Sequence, residues 1–89
     1  MKKNENQRLR EAILEVIKIQ IQDNDPPETK QTLARLQDEG FSEKESLKLI
    51  GYVVASEVFS VMKEKRQYDK SGYITALNNL PKLPWEKEG

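Results

Sequence analysis

The chain contains no cysteine and no histidine. The first absence excludes disulfides, thiolate metal sites and cysteine nucleophiles. The second removes the commonest general base and the commonest transition-metal ligand. Any metal site would have to be built from oxygen ligands, which suits magnesium, calcium or manganese. Apolar residues make up only 36% of the 89 positions, and no run of them approaches the ~18 residues of a membrane span. The basic opening "MKKNENQRLR" is not followed by a continuous apolar segment, so it does not read as a signal peptide. Glycine is scarce and scattered (Gly40, Gly51, Gly72 and Gly89), which leaves no phosphate-cradling loop or dinucleotide fingerprint. Net charge of one sign is also missing: 15 Lys and Arg balance 15 Asp and Glu, which makes nucleic acid an unlikely partner. These features together describe a cytoplasmic protein with no membrane segment.

What is present is helical periodicity. Residues 5–22 carry Leu9, Ile13, Val16, Ile17 and Gln20 at three- and four-residue spacing, with Leu14 and Ile21 widening the stripe. A second helix is expected over 26–39. Asp25 would cap it, Pro26 would take its first position, and Glu28 would complete a capping box. Gly40 ends that helix at a left-handed position, and Phe41 follows where a Schellman motif would press it inward. "GFSEKES" opens a third helix over 43–65, with Ser42 and Glu45 as a second capping box. Its stripe runs Leu47, Ile50, Val54, Val58, Val61 and Met62. Gly51 inside it costs about 1 kcal/mol against alanine and marks a close helix crossing. A short fourth helix is expected over 70–79, capped by Asp69. The fold class is therefore all-α: a small bundle of three main helices plus a short fourth, one domain over 1–80, with an extended proline-containing tail over 81–89.

Five places hold candidate chemistry. "DNDPPE" begins like a calcium loop, but position six is Glu28 rather than glycine and position twelve is Ala34 rather than glutamate. Helix capping accounts for its residues instead. Glu57 falls on the apolar stripe of the third helix, where a carboxylate needs a partner. It either reaches the rim or meets a cation such as Arg10 or Lys48. "KEKRQYDK" reads as the cationic end of a helix, opposing the macrodipole, or as a small anion-binding patch. In the tail, Leu83 and Trp85 either dock a partner or fold back over the bundle. "LARLQDEGFSEKES" has the outline of a helix-turn-helix or of a ubiquitin-associated module, but any two helices joined by a glycine cap produce that string, and Glu43 and Glu45 flank Lys44 where DNA binding wants positive charge. No catalytic residue, metal ligand or cofactor is assigned.

The segments "NQRLREAILEVIKIQIQDNDPPET", "RLQDEGFSEKESLKLIGYVVASEVF" and "YDKSGYITALNNLP" span nearly the whole chain. With them the chain resembles a family of short, all-helical bacterial proteins of unknown function. The resemblance implies two histidine pairs at four-residue spacing, one on the first helix and one at the start of the third, near a glutamate. Here those positions hold Arg10 and Leu14, and Lys44 and Lys48, and only Glu57 matches. The departure implies that a relative's metal would not be bound here in the same way, and that Arg10 or Lys48 supplies its positive charge opposite Glu57. The expected function is a non-enzymatic structural or protein-interaction module, with a homodimer or an unidentified protein as partner. The alternative is a degenerate or all-oxygen metal-binding protein.

Overall fold

The computed structural model describes residues 5–86. They form four helices: α1 (Glu5–Asp23), α2 (Pro27–Asp38), α3 (Glu43–Glu64) and α4 (Lys70–Asn79). The described residues contain no strand, so the chain is all-α. Each pair among α1, α2 and α3 is in contact, and α4 packs on α2 and α3.

The connections are short because three helices end on a left-handed residue. Asn24 has φ 52°, Gly40 φ 106° and Lys65 φ 52°. After Asn24 the Asp25 amide donates back to the Gln20 carbonyl, and the Asn24 amide donates to Ile21. After Gly40 the Phe41 amide donates to Leu36 and the Gly40 amide to Gln37. Both are Schellman closures, which satisfy carbonyls the helix leaves open and turn the chain sharply. Arg66 repeats the long bond, to the Val61 carbonyl.

The first closure overturns the expected cap of α2. The Asp25 amide already donates to the Gln20 carbonyl, so it is not free to donate to the Glu28 carboxylate. Pro26 becomes the N-cap and has no amide to offer, and no side chain caps the helix. Asp25 instead meets Lys70 at 2.9 Å, and Oε1 of Glu28 is buried without a hydrogen-bond partner. The Ser42–Glu45 capping box forms as expected. Ser42 Oγ accepts from the Glu45 amide at 3.0 Å, and the Ser42 amide donates to Glu45 Oε1 at 2.8 Å.

Two successive turns bring α3 alongside α1 in the same sense. Ile13 Cγ2 lies 3.3 Å from where a β-carbon on Gly51 would stand, so Gly51 does mark a close crossing. The core is small: Ile17, Leu36, Ile50, Val53, Val54, Tyr73, Leu77 and Leu80 are buried. Each fully buried aliphatic side chain contributes about 1.5–3 kcal/mol. The stripe expected on α1 divides. Ile13, Ile17, Gln20 and Ile21 face inward, while Leu9, Val16 and Ile19 stay exposed. On α3, Leu47, Ile50, Val53 and Val54 serve the core, but Val58 and Met62 do not.

A polar node sits at the end of this core. Gln20 Oε1 accepts from the Thr29 hydroxyl at 2.8 Å and from the Tyr73 hydroxyl at 3.0 Å, joining α1, α2 and α4. Burial raises the Tyr73 pKa, so its phenol stays a proton donor. Arg35 of α2 donates to the Leu77 carbonyl at 3.1 Å, covering one of the open carbonyls of α4.

Two substitutions test these supports. Gly40→Ala has open space for its methyl group, so its effect is conformational, a loss of about 1–2 kcal/mol from holding a left-handed backbone. A denaturant midpoint unchanged from the parent would refute the closure's role. Gln20→Leu orphans two hydroxyls at about 1–3 kcal/mol each, whereas Tyr73→Phe removes one donor and is expected to cost about 1 kcal/mol. Equal melting temperatures for these two variants would show that the node does not bind the three helices together.

Candidate functional site

Among the described residues two features stand out: a polar cluster at the end of α3 and an apolar face shared by α1 and α3.

The polar cluster is built on Glu57. Its Oε2 accepts from Arg66 Nη1 at 2.9 Å and its Oε1 from Arg66 Nη2 at 3.0 Å, a two-pronged pair of charge-assisted bonds. The Asp69 amide adds a third donor at 2.9 Å. Arg66 also donates to the Gln67 carbonyl and lies 3.3 Å from Glu64. Arg66 therefore occupies the place that Arg10 or Lys48 was expected to take. The left-handed turn at Lys65 sends the chain back along α3, so a residue nine positions later reaches Glu57. Arg10 and Lys48 are both exposed. Lys48 lies instead beside Phe41, Glu45, Leu49 and Tyr52, around a shallow depression of about 290 Å³. The periodicity that placed Glu57 on the stripe compared helices with helices and so passed over the connection. The signal that points to Arg66 is its position just past the end of α3.

The Arg66 hydrogen bonds hold the Glu57 pKa below its ordinary value. Burial works against them, and the Asp69 amide adds to them. Glu57 in turn is the main reason that the Arg66 pKa is raised. Asp69, positioned by this clip, caps α4 by accepting from the Gly72 amide at 3.0 Å. A side chain at position 72 would meet Asp69 Oδ2 at 2.5 Å, so glycine is what lets the cap close. Lys70 and Asp25 form an exposed pair that contributes little on its own. Every partner of the carboxylate is thus a group of the α3–α4 connection, and the arrangement works as a fastener for α4. Among the described residues, no three Asp or Glu side chains gather closely enough to hold a metal ion.

The second feature is apolar. From the crossing of Ile13 and Gly51, α1 continues to Val16 and Ile19, and α3 to Ala55, Val58, Phe59 and Met62. Leu9 is 56% exposed, Phe59 66% and Met62 73%. Val58 and Met62 lie seven and eleven residues after Gly51, on the side of α3 turned toward α1. Leu9 and Val16 flank Ile13 on α1. The two rows therefore border one continuous face. Of the two expected tail residues, Leu83 folds back onto the core. Trp85 stands edge-to-face on Tyr52, with ring centres 5.9 Å apart, and is 58% exposed. The last tail residues, 87–89, lie outside the described residues. No helix of the described residues is long and apolar enough to cross a membrane.

No family model, curated protein or solved structure matches the chain.

The lowered Glu57 pKa fixes the sign of a pH effect. A carboxylate whose pKa falls on folding stabilises the fold above its unfolded value, about 4.3 for glutamate. That contribution is lost as pH falls through the lower folded value. Wild type should melt several degrees above Glu57→Gln at pH 7, and the gap should close progressively below about pH 4. A gap that persists at full size at pH 2.5 would remove the charged clip from the account.

Proposed function

We propose that this chain is a non-enzymatic protein-interaction module, a bundle of three principal helices closed by α4, whose working surface is the α1–α3 face. The observation that carries this reading is the run of exposed large apolar residues on two adjacent helices: Leu9, Val16 and Ile19 on α1, and Val58, Phe59 and Met62 on α3. Soluble monomers rarely leave contiguous apolar patches of more than a few hundred Å² open to water. Single exposed apolar residues are ordinary, but these six follow helical spacing and share one face. The polar cluster supports the same reading from the other side, because its carboxylate is fully engaged in fastening α4.

The test places a benzoylphenylalanine photo-crosslinker at the position of Phe59, with the position of Lys30 on the exposed side of α2 as control. Irradiation of the producing cells is expected to give covalent protein adducts from position 59 and few from position 30. Equal yields from the two positions would discard the α1–α3 face as the working surface.

A further inference from the structure

Resting on that reading, we infer that the occupant of the α1–α3 face is an amphipathic helix of a partner protein, acidic along the flank that lies over α3 and basic along the flank that lies over α1. The row on α1 is Glu5, Leu9, Ala12, Val16, Ile19 and Asp23, spaced four, three, four, three and four. A three–four repeat is the pattern by which one helix packs lengthwise on another. All six residues are exposed, and the row is apolar between an acid at either end. The row on α3 has the same plan with the opposite sign. Ala55, Phe59 and Met62 are bracketed by Lys48, seven residues before Ala55, and by Lys63, four after Phe59. Lys44 extends the lysines one turn further. These charges are uncommitted: among the described residues, Glu5, Asp23, Lys44, Lys48 and Lys63 enter no ion pair. Glu45, one turn before Lys48, is taken by the Ser42 amide. Arg8 and Glu15, at the outer edge of the α1 row, are of opposite sign and offset each other.

The two rows are in step. α1 and α3 run in the same sense, with Ile13 beside Gly51. Glu5 and Lys48 both precede that crossing, and Asp23 and Lys63 both follow it. Each end of the face therefore carries an acid on α1 and a lysine on α3. A helix acidic on both flanks would meet Glu5 and Asp23, and one basic on both flanks would meet the lysines. Only opposite signs on the two flanks satisfy both rows, and rim charges of this kind set orientation and specificity more than affinity. The apolar contact comes from Leu9, Val16, Ile19, Phe59 and Met62. Lys48 and Lys63 are fifteen positions apart, roughly 22 Å along the helix. The occupant's acids thus belong near its two ends. The chain's own helices do not supply this helix. α2 and α4 expose no large apolar side chain. α1 carries acids and α3 lysines within the row itself, so neither presents an acidic and a basic flank to a second copy.

The test displays on yeast a library of helices of about 18 residues, five turns. Each has alanine, leucine or phenylalanine at three- and four-residue spacing, and glutamate or lysine at every flanking position near its ends. The library is sorted against the whole chain carrying a biotin tag. Enriched helices are expected to hold glutamate on one flank and lysine on the other. As free peptides they should bind Lys48→Glu/Lys63→Glu about tenfold more weakly than wild type, the scale of two exposed ion pairs. Phe59→Glu should not bind them measurably. Both variants change exposed residues only, and unchanged helical circular dichroism checks that they fold. Enrichment of helices with one sign on both flanks, or with no preference, would overturn the inference. Loss of their binding in Phe59→Glu would still leave the α1–α3 face as an interaction surface. No enriched helix would also overturn it. So would a wild type that sediments as a dimer dissolved by Phe59→Glu, or one that binds phosphatidylglycerol vesicles. Photo-adducts at position 59 above the Lys30 control would then keep the face and discard this occupant. Equal adduct yields together with no enriched helix would remove both readings.

Discussion

Glu57 accepts from three donors that lie nine to twelve residues further along the chain: both terminal nitrogens of Arg66 and the amide of Asp69. This single carboxylate turns the α3–α4 connection into a defined shape. Once Asp69 is held, its side chain caps Gly72 and its carbonyl receives the Tyr73 amide, so the first turn of α4 is set. The position of α4 then carries the Tyr73 hydroxyl to Gln20, which also holds Thr29. One ionised group on α3 is thereby linked, through two short steps, to the junction of α1 and α2. A charge on an otherwise apolar stripe is expensive to bury alone, but here it is balanced by a fork of charged donors. The chain lacks histidine and cysteine, so neither a metal held by their side chains nor a disulfide is available for this task. An ion pair with a backbone amide performs it.

How far the sequence could be read follows from the range of each interaction. Features confined to four or five residues were legible. Ser42 and Glu45 form their capping box, Gly40 takes its left-handed turn and Asp69 caps α4. The close crossing at Gly51 was legible too, because a glycine in mid-helix needs a reason. What escaped were outcomes of competition. Asp25 was a plausible cap until its amide was claimed by the end of α1. Lys65 gave no sign of a left-handed turn, because lysine has no preference for it. Without that turn, nothing brings Arg66 back to Glu57, and a search across helices leads to Arg10 and Lys48. The node at Gln20 was half legible: its place on the inward stripe was visible, while its two hydroxyl partners depended on how α2 and α4 arrive.

The division of the α1 stripe has a simple cause in numbers of neighbours. A helix in a small bundle faces two others, and α4 packs on α2 and α3 rather than on α1. The side of α1 away from α2 is therefore covered only along the line of contact with α3, where Ile13 meets Gly51. Leu9, Val16 and Ile19 lie beyond that line. The same holds for α3 past Val54, where the tail reaches Tyr52 through Trp85 but does not extend to Phe59 or Met62. The core thus has a low content of apolar residues partly because the chain places others outside it. A chain with 36% apolar residues that leaves this many of the large ones in water has little reserve for its own core.

That balance favours a helical occupant over a flat or extended one. An extended segment would present side chains at every second residue, in a period that falls out of step with rows at three- and four-residue intervals. A helix laid lengthwise stays in step over several turns. The crossing of Ile13 and Gly51 sets α1 beside α3, and the three left-handed turns with the Glu57 clip fix the connections around it.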